Sequence, residues 1–87
     1  MRIISQDRMT DTPYDGAVIY IHAGTDQIYV MAHVPDEAFT IGTYNSIEDA
    51  LRVMELIRDC FIYGGTYFVM PKSDMVSRCY EKEGKQE

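Results

Sequence analysis

Residues 17–34 read AVIYIHAGTDQIYVMAHV, and this stretch decides the fold. Two segments, 17–22 and 27–34, are rich in β-branched and aromatic residues, which is typical of β-strands. The residues between them supply the turn. We predict a β-hairpin with a two-residue turn at Gly24-Thr25, in a register that places Tyr20 opposite Tyr29.

This register separates the hairpin into an aliphatic face and an aromatic, polar face. A register one residue away would mix the two kinds of side chain, so the pattern favours the pairing of Tyr20 with Tyr29. The aliphatic face is predicted to pack against the core. The other face, which we call the open face, carries five candidate binding residues: Tyr20, His22, Tyr29, Met31 and His33.

Three interpretations of the open face are compatible with the sequence. An exposed patch of large apolar side chains usually marks an interaction site, and Tyr and Met are enriched at protein interfaces. The open face is therefore a surface for homo-oligomerisation, a site for a ligand or partner, or only a Tyr20–Tyr29 pair that stabilises the hairpin. Because a chain of 87 residues has a small core and the open face is uncovered, we expect a homo-oligomer that associates through this face.

One amphipathic helix follows the strands. Ser46 is a favourable N-cap residue, with Asp49 three positions later as in a capping box, and Gly64-Gly65 is predicted to end the helix. The polar side carries Arg52 and Arg58, which a solvated surface explains, although arginine also binds phosphate in a bidentate manner. The apolar residues recur at helical spacing and predict a core stripe: Ile47, Ala50, Leu51, Val53, Met54, Leu56, Ile57, Cys60 and Phe61.

The remaining segments complete the fold. The composition of residues 7–16 is typical of a loop. The element order β-β-β-β-α-β predicts an α+β fold, with a mostly antiparallel sheet and one amphipathic helix packed on one face. We expect a single domain over residues 1–71 and a polar C-terminal tail over residues 72–87. Three further strands are predicted, over residues 2–5, 39–44 and 66–70. In the tail, a short helix is indicated by the spacing of Met75, Val76, Cys79 and Tyr80.

The composition argues against several classes of protein. The formal net charge of −6, from 14 acidic and 8 basic residues, disfavours binding to the nucleic-acid backbone, which depends on Lys and Arg neutralising phosphates. The N-terminus lacks the apolar segment of a signal peptide, and no apolar run approaches the ~20 residues of a membrane span. We therefore expect a cytoplasmic protein without membrane association, with Cys60 and Cys79 as reduced thiols.

No motif of a catalytic site is present in the sequence. It lacks a glycine-rich phosphate loop, a nucleophile elbow and the paired cysteines of a zinc site. The two histidines, His22 and His33, are predicted to lie at opposite ends of the hairpin without carboxylate or thiolate neighbours, which makes a poor metal site. The sequence predicts a non-enzymatic protein with no metal, no cofactor and no catalytic residue.

Two parts of the chain carry a family resemblance. The first comprises residues 1–7 (MRIISQD) and 11–14 (DTPY), and the second comprises residues 44–58 (YNSIEDALRVMELIR) and 68–71 (FVMP). Together they resemble a family of small uncharacterised proteins encoded by phages and prophages of Gram-positive bacteria. Residues 17–41, which include the hairpin, are the part least like the family, and Arg8 stands where the family pattern has glycine.

This resemblance implies an accessory protein that counters host defence in the host cytoplasm. One mechanism is sequestration of a small nucleotide-type immune signal by an oligomer, with tyrosines stacking on the base and Arg52 and Arg58 holding phosphates. The alternatives are a protein-directed inhibitor of a host defence protein, similar to anti-CRISPR proteins with an acidic surface, and a structural or regulatory phage protein. The carboxylates occur in runs of at most two, which favours sequestration.

Overall fold

The computed structural model describes residues 1–76. The prediction of an α+β fold with mostly antiparallel strands and one main helix is confirmed, with one additional strand near the N-terminus. The elements are β1 (Arg2–Ile4), β2 (Asp11–Pro13), β3 (Val18–Ala23), β4 (Ile28–Val34), β5 (Glu37–Tyr44), α1 (Ile47–Ile62) and β6 (Tyr67–Val69).

The strands form two three-stranded sheets, where the sequence predicted one. In the first sheet β1 lies in the centre, antiparallel to β2 and parallel to β6. The second sheet is antiparallel throughout, in the order β3-β4-β5. The predicted loop over residues 7–16 contains β2, because the Ser5 N–H donates to the Thr10 carbonyl (2.8 Å) and turns the chain back along β1.

The β3–β4 hairpin has the predicted faces but a different register. Tyr20 pairs with Met31, and His22 pairs with Tyr29, two positions away from the predicted partners. The predicted register is therefore wrong. A shift by two positions leaves every side chain on its original face, because side chains alternate with a period of two. The division into an aliphatic face and an open face is thus confirmed.

The turn of this hairpin explains the difference in register. The Gly24 N–H donates to the Gln27 carbonyl at 2.9 Å, so the turn is centred on Thr25 and Asp26. A Cβ at position 24 would lie 2.7 Å from the Tyr29 ring. Glycine is therefore required where the backbone passes close to this ring, at the end of the ladder and before the turn itself.

Helix α1 begins and ends where the sequence predicts. Ser46 caps it by accepting a hydrogen bond from the Asp49 N–H at 3.1 Å. Beyond the last turn, Gly64 has a φ of 82°, a conformation that favours glycine. The helix packs on the aliphatic face of the β3-β4-β5 sheet, with Ala50, Val53 and Ile57 fully buried. None of the helices in residues 1–76 combines the length and the apolar composition that a membrane-spanning helix needs.

The apolar stripe of α1 is wider than the part of the helix that packs against the β3-β4-β5 sheet. Ile47 and Leu51 are 49% exposed and Phe61 is 45% exposed, so their assignment to the core is wrong. The sheet beneath the helix ends at β3, and one flank of the helix therefore has no strand below it. That flank leaves apolar side chains in contact with solvent.

Gln6 joins the two sheets at the outer edge of β5. Its backbone N–H donates to the Ile41 carbonyl at 2.8 Å. Its side-chain amide donates to the carbonyls of Thr43 (3.1 Å) and Pro71 (2.9 Å), while its Oε1 accepts from the Thr43 N–H (2.9 Å). The side chain thus takes the place of a strand residue and satisfies backbone groups that the edge of β5 would leave open.

The core extends beyond the predicted domain boundary at residue 71. Residues 73–76 are helical, and Val76 is fully buried in the core. The Ser73 hydroxyl donates to the Asp49 carboxylate at 2.8 Å and ties this segment to the first turn of α1. The first residues of the predicted polar tail therefore belong to the domain, because they close its apolar core.

The structure describes only part of the predicted cysteine and tail features. Cys60 is a free, half-buried cysteine, and its Sγ lies 3.6 Å from the Tyr67 carbonyl oxygen. Cys79 and Tyr80, which were predicted to share a short helix with Met75, lie outside the described residues.

Arg8 occupies a backbone conformation that favours glycine, with a φ of 64°. Its N–H donates to the Ser5 carbonyl at 2.9 Å in the turn between β1 and β2. We expect Arg8→Gly to raise the thermal midpoint by a few degrees, because it relieves a left-handed conformation that costs roughly 1 kcal/mol, partly offset by the freer unfolded chain. Arg8→Ala keeps the Cβ and should give no increase. An equal increase in both variants would assign the effect to the Arg8 charge.

Candidate functional site

The five candidate residues of the open face lie together on the β3-β4-β5 sheet. Tyr20 and His22 are exposed on β3, and His33 is exposed on β4. Tyr29 and Met31 are half-buried between their neighbours on β4. Since α1 packs on the opposite face, the open face presents aromatic and sulfur-containing side chains to solvent.

Side chains on the open face contact each other across the strands. The rings of His22 and Tyr29 are stacked, with centroids 6.2 Å apart and planes 29° apart. The Thr40 hydroxyl donates to the Met31 sulfur at 3.2 Å. None of the strand residues on this side is Lys, Arg, Asp or Glu. Strand β5 extends the open face by three small side chains: Ala38, Thr40 and Thr43.

A groove of about 460 Å³ runs along the outer edge of β5 and borders the open face. Thr40 and Thr43 belong to both surfaces. Its lining also includes the polar side chains of Ser5, Gln6 and Ser73, and its charged groups are the Asp7 carboxylate and the Lys72 ammonium. The groove therefore continues the uncharged open face into a surface that offers one anion and one cation.

The loop between β1 and β2 fixes Asp7 as an anion. The Ser5 hydroxyl donates to the Asp7 carboxylate, and the Met9 N–H donates to the same oxygen at 2.9 Å. These two hydrogen bonds lower the pKa of Asp7 below its ordinary value. The Ser5 oxygen also accepts from the Thr10 N–H at 3.1 Å, which holds the hydroxyl in place. At neutral pH the carboxylate is thus a positioned hydrogen-bond acceptor.

The two predicted arginines do not join the open face. Both lie on α1, which packs on the other side of the sheet. Arg52 Nη1 lies 3.2 Å from the Glu55 carboxylate. Arg58 is exposed and lines a cavity of about 140 Å³ between α1 and β3. Within one chain the sheet therefore separates the predicted phosphate-binding arginines from the predicted stacking residues.

The histidines lie where the sequence predicts, at opposite ends of the open face. His22 is opposite Tyr29, and His33 is opposite Val18. Among residues 1–76, no group of three or more His, Cys, Asp or Glu side chains is placed to hold a metal ion.

Comparisons with protein-family models, with curated proteins and with solved structures found no match. The resemblance to phage and prophage proteins therefore stays a prediction.

Proposed function

We propose that this protein is a non-enzymatic binding protein that captures a small nucleotide-type ligand on the open face and in the adjoining groove. The observation that carries the proposal is the border between an uncharged aromatic surface and a groove with one ammonium and one carboxylate. A nucleotide has the matching order of groups: an aromatic base, a ribose with hydroxyl groups, and an anionic phosphate.

Each part of this surface has one role in the proposal. The base stacks on the aromatic side chains around Tyr29, a contact that contributes roughly 1–3 kcal/mol per base. Asp7 accepts hydrogen bonds from ribose hydroxyls, as acidic residues do in dinucleotide sites. Lys72 contacts the phosphate as a point charge. Lys72 thereby takes the role that the sequence assigned to Arg52 and Arg58.

The biological role that we propose rests on the predicted resemblance to phage proteins. The captured nucleotide is an immune signal, and its sequestration in the host cytoplasm counters host defence. A protein-directed inhibitor would use a surface rich in carboxylates, and α1 offers three exposed ones behind the sheet, those of Glu48, Glu55 and Asp59. Variants of the open face therefore separate the two roles.

Tyr29→Ala is expected to weaken nucleotide binding by roughly fivefold to 150-fold, the equivalent of one lost base-stacking contact. Native mass spectrometry of the gently purified protein first identifies any bound nucleotide by its added mass. Calorimetric titration with adenosine and guanosine mono- and diphosphates then gives the affinities. Tyr63→Ala is the matched control, because Tyr63 is 87% exposed at the C-terminal end of α1 and should not affect binding.

Lys72→Ala tests the groove separately from the stacking surface. It is expected to weaken binding and to reduce the salt dependence of the affinity, because a phosphate contact is lost. The proposal is wrong if no nucleotide is found or bound, or if Tyr29→Ala and Lys72→Ala both retain wild-type affinity. A host protein that is captured through Glu55 and Asp59 would support the protein-directed inhibitor instead.

A further inference from the structure

The outer edge of β3 is open to pairing with another strand. β3 is the outermost strand of the β3-β4-β5 sheet, and residues 1–76 supply no further strand beside it. The Gly24 N–H donates to the Gln27 carbonyl, so these two residues form a hydrogen-bonded pair. Hydrogen-bonded and non-hydrogen-bonded pairs alternate along an antiparallel hairpin, so the pairs formed by Ile19, Ile21 and Ala23 are non-hydrogen-bonded. The backbone N–H and C=O groups of Ile19, Ile21 and Ala23 therefore point away from β4.

The other sheet edges within residues 1–76 are short or partly occupied. β2 and β6 have three residues each, and β2 ends in Pro13. On the outer edge of β5, the Ile41 carbonyl and the Thr43 N–H are bonded to Gln6. β3 has six residues, and none of them is Lys, Arg, Asp, Glu, Pro or Gly. It thus lacks the charges and prolines with which proteins protect an edge from unwanted pairing.

One flank of α1 continues the edge of β3 into a larger surface. Ile47 and Leu51 are 49% exposed, and Ile62 is 65% exposed. Met54 and Arg58 lie between Leu51 and Ile62 at helical spacing. They line a cavity together with Tyr14, Ala17 and Ile19, so this flank lies on the side of β3. We call this flank the α1 row, and its members are Ile47, Leu51, Met54, Arg58 and Ile62.

We propose that a second copy of this chain binds here, with β3 antiparallel to β3 of the partner subunit and the two α1 rows packed against each other. A two-fold axis perpendicular to the sheet sets each strand and each helix antiparallel to its own copy, an arrangement that strand pairing and helix packing both permit. The six outward backbone groups then acquire partners, and the half-buried Ile19 and Ile21 are covered.

Charge favours an identical partner at this surface. The chain has a net charge of −6, so two copies repel each other over most of their surfaces. On the proposed interface β3 carries no charged residue, and the single charge of the α1 row is the cation Arg58. Glu55 and Asp59 lie beside the row, where the partner's arginine can pair with them. This is therefore a surface on which two acidic copies can approach closely.

This interface differs from the homo-oligomer that the sequence predicted. That prediction placed the contact on the open face, whereas edge pairing leaves the open face free. The two sheets would become one continuous sheet of six strands, with Tyr20 and His22 in its centre. The dimer does not depend on the proposed nucleotide, and it is tested without any ligand.

Sedimentation velocity of the full chain without nucleotide should give about twice the 10.0 kDa mass of one chain at roughly 100 µM protein. Ala23→Pro removes an outward N–H and leaves the β3–β4 hydrogen bonds intact. Leu51→Lys adds a second cation to the α1 row, where it repels the arginine of the partner subunit. Each variant should raise the dissociation constant at least about tenfold. Tyr67→Glu is the control, because Tyr67 is 61% exposed on β6, in the other sheet.

Hydrogen exchange locates the interface without any substitution. The amides of Ile19, Ile21 and Ala23 should exchange slowly in concentrated protein and rapidly after dilution, because their N–H groups are bonded only in the dimer. A wild-type mass of a single chain in the concentrated sample would overturn the inference. So would a dimer that both variants leave unchanged, or one in which these amides exchange equally fast at both concentrations.

Discussion

Gly42→Ala should lower the free energy of unfolding by about 2–3 kcal/mol, because the added methyl group has no space in the core. A Cβ at this position would lie 2.8 Å from Cε2 of Tyr44 and 3.1 Å from Cε of Met70. Tyr44 is fully buried, and its hydroxyl donates to the Pro71 carbonyl at 2.7 Å, so its ring is held in place. Burial also raises the pKa of Tyr44 above its ordinary value, so the phenol keeps the proton of this hydrogen bond.

Urea denaturation followed by circular dichroism measures this loss, with Gly16→Ala as the matched control. Gly16 is exposed, and a Cβ there would contact only the Pro13 ring, at 3.8 Å. The control should therefore change stability by less than about 0.5 kcal/mol. Gly42 also lines the groove. A Gly42→Ala protein as stable as wild type would mean that the Tyr44 ring can move to make room for the methyl group, and that it is not held rigidly beside the groove.

The hairpin shows which features of the fold can be predicted from sequence. Alternation with a period of two assigns each side chain to a face, and this assignment is the same for any shift by an even number of residues. The pattern therefore excludes a shift by one but not a shift by two. Only the turn distinguishes the remaining registers, and in this hairpin the glycine that suggested the turn is required beside the Tyr29 ring.

The β2-β1-β6 sheet could not be predicted from local sequence pattern. β2 is a three-residue strand, too short to show alternation, and it lies within a segment whose composition is typical of a loop. The parallel pair of β1 and β6 joins Ile3 to Phe68 across the whole domain. Such a contact depends on tertiary packing, and neither segment contains a signal for its distant partner.

The sequence predicted only part of the candidate site, because local pattern again does not show which distant segments come together. Strand alternation placed five of its residues on one face. Arg52 and Arg58 were added for their chemistry, although a helix that covers the aliphatic face must lie across the sheet from the open face. Asp7 and Lys72 had no comparable signal, because they lie in segments predicted as a loop and a tail. Both line the groove at β5 because the neighbouring residues Gln6 and Pro71, 65 positions apart, are hydrogen-bonded.

Gln6→Glu should lower the free energy of unfolding by about 3 kcal/mol at pH 7, because it breaks the junction between the sheets. The Gln6 amide donates to the carbonyls of Thr43 and Pro71, and a carboxylate has no hydrogen to donate to either. It would also place a negative charge against two carbonyl oxygens. Only the hydrogen bond from the Thr43 N–H to the side-chain oxygen would remain.

The loss of stability in Gln6→Glu should be smaller in acid. The direction of this pH dependence follows from the surroundings of position 6. Two facing carbonyls disfavour the charged form and raise the pKa of the introduced carboxyl above the ~4.3 of an unfolded chain. The variant therefore keeps most of its stability below about pH 4 and loses it as the pH rises through the folded pKa. Gln6→Met removes the same hydrogen bonds without adding a charge, so its deficit of about 2 kcal/mol should be equal at pH 4 and pH 7. If both variants show the same deficit at pH 7, the side chain at position 6 is hydrated rather than bonded between the two sheets.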